Sequence, residues 1–340
     1  MKRNISVLLL ALLFLISCNK DKEILSGLAE YNTSMESKGY HFGDAINFPK
    51  SVLDNAEKIT ISFGDKETSD LKISPEFFTL GDNAVTINIK TKDGKDLSQD
   101  AIINVFAKNA EQKLTYEIVK EYPHNPENFV QGFQLEGNMI YGSNGQAGKS
   151  SLIKYPLGST TATAKAELGG DYFGEGSTIV GNKVYQLTWT HKKGFIYDKN
   201  SLKQLAEFAY PSILGEGWGL TYDGKNLLAS DGSKYIYFLN PEKPEQLIKQ
   251  IAVAGNTEIY DKLNELEYYD GFLYANMWQK PYILKINPKN GEVVGKLDLS
   301  EIVKNHTKGE DDVLNGIAFK NGNMLVTGKN WDKIYELKIN

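Results

Sequence analysis

Short runs of alternating apolar and polar residues, broken by glycine-containing turns, dominate the chain from about residue 45 onward. Val85-Thr86-Ile87-Asn88-Ile89-Lys90 alternates strictly, as a strand with one wet face does. Lys58–Phe63 and Ala101–Ala107 are runs of the same kind, and Gly64-Asp65, Gly81-Asp82 and Asp93-Gly94 supply turn signals between them. Residues 45–112 are therefore predicted to form a small Ig-like β-sandwich. No chemical constellation lies within it, so a spacer or docking role is expected.

Beyond residue 113 the pattern repeats. Gly132, Gly176, Gly219, Glu265 and Gly316 bring five similar units into register, at spacings of 44, 43, 46 and 51 residues. Each unit carries a turn glycine a few residues on (Gly137, Gly181, Gly224, Gly271, Gly322) and then an apolar Tyr141, Tyr185, Leu228, Tyr274 or Leu325. Such a period holds four short strands and matches a propeller blade. No amphipathic helix falls between the strands, which argues against an α/β fold. The last unit is short, and Tyr116–Tyr122 is predicted to supply its outer strand, so closing the ring and covering an edge. The expected fold is all-β: a five-bladed β-propeller over 113–340 preceded by the sandwich.

The N-terminus follows another logic. Lys2 and Arg3 precede an apolar run from Val7 to Ile16, short for a bilayer span but suited to a signal peptide. Leu15-Ile16-Ser17-Cys18 is similar to a bacterial lipobox, with Cys18 as the lipidated residue. Residues 1–18 are thus expected to be a lipoprotein signal, and the polar stretch 19–44 a flexible tether. The implied location is the cell envelope, on the periplasmic face of an outer membrane or at the cell surface. Cys18 is the only cysteine, so no disulfide framework is available to the remaining chain.

Composition adds limits. A net charge of −5 and the lack of any basic block argue against nucleic acid as a partner. His41, His124, His191 and His306 stand in no metal-ligand spacing. No required cofactor is expected, although a structural cation in a propeller channel stays open. A monomer is expected.

Blade loops converge at one end of a propeller, so matching positions of different repeats become neighbours. The repeat starts carry Phe129-Val130-Gln131-Gly132, Phe173-Gly174-Glu175-Gly176, Glu216-Gly217-Trp218-Gly219, Leu263-Asn264-Glu265-Leu266-Glu267 and Leu314-Asn315-Gly316. Downstream come Leu187-Thr188-Trp189, Ala275-Asn276-Met277-Trp278 and Thr327-Gly328-Lys329-Asn330-Trp331, and these strings together hold all four tryptophans. In this order, with His124-Asn125-Pro126 before them and Ser230-Asp231-Gly232-Ser233 among them, they resemble the plant-type glutamine cyclotransferase family. The likeness runs from about His124 to Trp331. Departures from the family pattern are Asn125 for Asp, Val130 for Thr, Met277 for Val and Asp332 where Pro often follows the tryptophan.

The resemblance implies a metal-independent glutaminyl-peptide cyclotransferase, which converts an N-terminal glutamine of a peptide or protein to pyroglutamate and releases ammonia. It implies that Glu175 moves the proton, that Lys329 stabilises oxyanion charge and that Asn264 assists at the same oxygen or at the leaving nitrogen. Gln131 is expected to touch the substrate, and Phe129, Phe173, Trp189, Trp218 and Trp278 to line its pocket. Trp331 reads as packing, Glu216, Glu265 and Glu267 as supporting residues, and Asp231 as a turn acceptor. The competing expectation is an envelope ligand-binding propeller without turnover. Joint presence of Glu175, Asn264 and Lys329 favours the enzyme, because a pure binder needs no acid/base and oxyanion set.

Overall fold

The computed structural model describes residues 20–34, 38–306 and 308–340. The signal segment and Cys18 lie outside the described residues. The chain divides into two compact units at Lys108/Asn109. That is a few residues before the expected boundary, because Gln112–Leu114 already pairs with Val293–Asp298 of the second unit.

The first unit corrects two expectations. Its strands form one five-stranded sheet rather than a two-sheet sandwich, in the order Tyr40–His41, Asp96–Phe106, Gly81–Thr91, Ala56–Phe63 and Lys66–Thr68. Residues 20–34, expected as a tether, are helical. Ile24 and Leu28, one turn apart on one helix face, are buried, and the Tyr31 ring packs 5.2 Å from Phe48. An ion pair of 2.6 Å between Asp21 and Lys95 joins this helix to the turn before Asp96–Phe106. A single sheet with Ile61, Ile87, Ile89, Ile103 and Val105 buried needs a cover, and a helix with a narrow apolar stripe provides it. That stripe is sparse enough to be masked by the polar residues around it.

The described residues of the second unit form five sheets. The first runs through Val130–Glu136, Met139–Asn144, Ser151–Pro156 and Ala164–Glu167, and the second through Gly174–Val180, Lys183–Thr188, Lys193–Asp198 and Gln204–Ala209. Leu220–Tyr222, Leu227–Ser230, Tyr235–Asn240 and Lys243–Ala252 make the third. The fourth holds Leu263–Tyr269, Phe272–Met277, Tyr282–Ile286 and Val293–Asp298, with Gln112–Leu114 added in parallel at its outer edge. The fifth is Leu314–Lys320, Asn323–Gly328, Lys333–Ile339 and Tyr116–Pro123. The segment expected to complete the last repeat is thus paired antiparallel with the C-terminal strand, Tyr116 opposite Ile339.

The first strand of each sheet packs against the first strands of the sheets before and after it, and the fifth meets the first. The repeat anchors sit at these contacts. A Cβ on Gly176 would collide with the backbone at Trp218–Leu220, and one on Gly219 with the carbonyl of Asn264. Glycine is needed there for close approach, not for turning. The fourth repeat has Glu265 instead, and its carboxylate enters the contact directly. Oε2 accepts the N–H of Ile317 at 2.9 Å, and Oε1 accepts the N–H of Phe133 at 3.2 Å. Apolar clusters fill the spaces between successive sheets, among them Leu228, Phe238, Leu263 and Leu284 between the third and fourth.

Candidate active site

Four of the five inner strands are irregular at the same place. Pairing with the second strand slips between Val130 and Gly132, Gly174 and Ser177, Leu263 and Leu266, and Leu314 and Ile317. Such bulges add residues to one strand and re-aim their side chains. The residues they release are Gln131, Glu175, Asn264 and Asn315, each one position before a repeat anchor. Trp218 holds the matching place in the third repeat. One irregularity, repeated in four sheets, therefore presents four polar side chains, and Trp218 adds an aromatic one at the matching place of the third.

The ends of the second strands supply the next layer. Gly145, Trp189, Trp278 and Lys329 each donate a backbone N–H to the residue preceding an inner strand, namely Phe129, Phe173, Lys262 and Val313, at 2.8, 3.0, 2.9 and 2.9 Å. Equivalent hydrogen bonds thus fix Trp189, Trp278 and Lys329 at equivalent points of three repeats. Sequence distance is irrelevant to their order in space.

These side chains form a continuous arc. Lys329 Nζ lies 4.8 Å from the centroid of the Phe129 ring. Phe129 meets Phe173 edge-on at 6.1 Å, and Phe173 meets Trp189 at 5.7 Å. The Trp189 indole donates to Glu216 Oε2 at 2.6 Å, and the Trp218 indole donates to the same oxygen at 2.8 Å. Trp218 then meets Trp278 edge-on at 5.8 Å, and Lys262 Nζ lies 5.5 Å from the Trp278 ring. All five aromatic residues expected at the site belong to this arc.

The polar members are buried against it. Glu175 is 5% exposed, Gln131 4%, Asn264 3% and Lys329 6%. Gln131 Nε2 donates to Glu175 Oε1 at 3.2 Å. Burial pushes the Glu175 carboxyl well above the usual carboxylate range; the Lys329 ammonium partly opposes this and the Glu216 charge adds to it. Burial likewise pulls Lys329 below the ordinary lysine value, against the pull of Glu175 and Asp311. Burial makes each of the two groups costly to charge, and the opposite charge of the other offsets only part of that cost. The Asn264 backbone carbonyl accepts from the Ser230 hydroxyl at 2.7 Å, while its buried Oδ1 has no hydrogen-bond partner among the described residues.

Supporting residues separate clearly from these. Trp331 is 1% exposed, donates to the Asp312 carbonyl and stacks on His306 at 4.3 Å; its role is packing. Asp231 accepts from Ser233 within its turn and from the Tyr237 hydroxyl of the next strand. Asn125 accepts the N–H of Glu127, and His124 contacts the Trp331 carbonyl, which secures the approach to the first repeat. Glu267 approaches Thr221 Oγ1 at 3.4 Å, away from the arc. Asn315 was not singled out from the sequence, yet its amide bonds Val130 O at 2.8 Å and Gln131 Oε1 at 3.2 Å and so orients Gln131. Its position one residue before Gly316 was the available signal. A polar cavity bounded by Asn128, Asn144, Gly145 and Asn330 adjoins this edge of the site.

The chain belongs to the glutamine cyclotransferase family, whose sequence profile matches residues 92–339. It is 37% identical over 229 residues to a glutaminyl-peptide cyclotransferase of Arabidopsis thaliana, a match covering 66% of this chain and 71% of that protein. It is also similar to the crystal structure of Myxococcus xanthus glutaminyl cyclase, with a TM-score of 0.63 and 31% identity over 68% of this chain and 98% of that one.

Proposed function

We propose that this protein is a glutaminyl-peptide cyclotransferase: it closes the N-terminal glutamine of a peptide or protein into pyroglutamate and releases ammonia. The observation that carries the reading is the buried Glu175 carboxyl, bonded to Gln131, together with the buried Lys329 ammonium set over Phe129 at one edge of an aromatic arc. The names of the Arabidopsis and Myxococcus relatives support the same reaction.

The reaction forms one bond, from the α-nitrogen to the side-chain Cδ, and breaks the bond from Cδ to the amide nitrogen. A free α-amine titrates at about 7.7–8.0, so it must shed a proton to attack. Glu175 takes that proton, and its raised proton affinity makes it a stronger base than a surface carboxylate. The tetrahedral intermediate carries negative charge on the former amide oxygen, and the Lys329 ammonium is the cation suited to it. Glu175 then gives that proton to the departing nitrogen, which leaves as ammonia as the oxyanion collapses, and the regenerated carboxylate takes the extra proton from the ring nitrogen and passes it to solvent. Asn264 Oδ1, an unpartnered acceptor, suits the N–H groups of the carboxamide, and leaving such an atom unbonded costs about 1–3 kcal/mol. The arc residues Phe129, Phe173, Trp189, Trp218 and Trp278 exclude water and strengthen these contacts. Because attacking amine and carbonyl belong to one residue, much of the catalysis is orientation.

The same reading takes the second unit as a five-bladed β-propeller, supported by five successive sheets with mutually packed inner strands. It takes the chain as a monomeric, lipid-anchored envelope protein held through Cys18, supported by the lipobox-like sequence, and the chemistry as free of any metal or cofactor. Purified protein incubated with a Gln-initiated peptide should release one ammonia per pyroglutamyl peptide formed. An unchanged peptide mass with no ammonia would overturn the reading.

A further inference from the structure

Glu216 joins the two halves of the arc. Its Oε2 receives the indole N–H of Trp189 from the second repeat and that of Trp218 from the third. Two donors converging on one oxygen suit a carboxylate, which is acceptor-only when ionised. Trp189 is 42% exposed, so little packing alone holds its ring in place. The backbone around it is secured separately, because the Tyr210 hydroxyl reaches the carbonyls of Thr188 and Trp189 at 2.8 and 3.2 Å, and Gly217 N donates to Trp189 O at 2.9 Å. The indole itself is held by the Phe173 ring, 5.7 Å away, and by its hydrogen bond to Glu216.

We propose that Glu216 is a positioning residue of this site: it pins the two indoles that face the substrate across a repeat boundary and sets a fixed negative charge near Glu175. The inference rests on the cyclotransferase reading. Its two parts act on different quantities. The clamp fixes the slot between Phe173, Trp189 and Trp218, and so governs substrate binding and orientation. The charge raises the proton affinity of Glu175, in the same direction as burial and against Lys329. The groups acting on Glu175 are Lys329, Glu216 and the hydrogen-bonded Gln131, while the neutral phenol of Tyr210 also feels the Glu175 charge. Removing the Glu216 charge leaves Lys329 less opposed, so Glu175 should lose its proton more easily.

The test compares Glu216→Gln with Trp189→Phe in the full chain, using one Gln-initiated peptide across pH. Glu216→Gln keeps one acceptor oxygen and nearly the same volume but removes the charge. It should lower kcat/KM about tenfold and move the acid limb of the profile down by about half a pH unit or more. Trp189→Phe removes the indole donor and keeps the charge; it should raise KM with the limb in place. A Glu216→Gln enzyme with unmoved limb and unchanged rate overturns the proposal, and a uniform loss with an unmoved limb overturns its electrostatic part. Far-UV circular dichroism and a cooperative thermal melt check that both variants fold, and Glu216→Asp, which restores the charge, should recover the wild-type limb if Glu216→Gln proves unstable. An inactive wild type would instead contradict the cyclotransferase reading, so the two failures are distinguishable.

Discussion

Gln131 of the first repeat donates its side-chain amide to Glu175 of the second, 3.2 Å away, and both stand one residue before a repeat anchor. The bond crosses a sheet boundary and is made by residues that bulges eject from their strands. It fixes one oxygen of a buried carboxyl that also feels the Lys329 cation and the Glu216 charge.

Glu175→Gln should leave the fold intact and remove nearly all turnover. The sign of its effect on stability follows from its raised proton affinity. In the folded protein Glu175 binds its proton more tightly than in the unfolded chain, so its contribution declines as pH rises from the ordinary glutamate range through the raised folded value. Glutamine cannot ionise, and its oxygen can still accept from Gln131. Thermal melts at neutral and alkaline pH should therefore show the variant equal to or more stable than wild type.

Lys329→Ala should reduce kcat by about 10²–10³-fold with a smaller change in KM, as expected for loss of one oxyanion-stabilising group. Because burial holds this ammonium below the ordinary lysine value, the basic limb of the rate profile should fall below about 10.4. A full pH profile of kcat checks both.

Glu265→Gln is expected to destabilise the protein without reaching the chemistry. Both Glu265 oxygens accept backbone N–H groups, one from the first repeat and one from the fifth. Glutamine would turn an amide donor toward one of them, at a cost of about 1–3 kcal/mol for the group left unbonded. Denaturant unfolding measures the loss, and kcat of the folded fraction should stay near wild type.

His124 predicts an acid-side weakness. It is 2% exposed, and burial lowers its pKa to about 4. The unfolded chain binds this proton near the ordinary histidine value and the folded chain only near 4, so stability is lost as pH falls between the two. The span corresponds to roughly 3 kcal/mol. In His124→Gln this part of the pH dependence should vanish from thermal melts taken between neutral and mildly acid pH.

The sequence made the second unit legible because its five anchors mark strand starts that must touch. Gly176 and Gly219 are glycines through that need, and Glu265 breaks the rule only because its carboxylate bonds across the junction. Glu175, Lys329 and the aromatic residues could be named from motif strings, since equivalent repeat positions become spatial neighbours. What the strings could not convey was which acceptor each indole uses. Glu216 read as supporting because its convergence on Trp189 and Trp218 depends on side-chain direction, not spacing. The first unit was less legible for another reason. Ile24, Leu28 and Tyr31 are a short apolar stripe among charged residues, and a stripe gains meaning only against the sheet that it covers.

The most direct test follows wild type and Glu175→Gln side by side on one Gln-initiated peptide, by ammonia release and by mass, with circular dichroism on both. The expected result is stoichiometric ammonia and pyroglutamyl peptide from wild type, and a folded variant with almost none. Equal turnover by a folded Glu175→Gln protein would contradict the account.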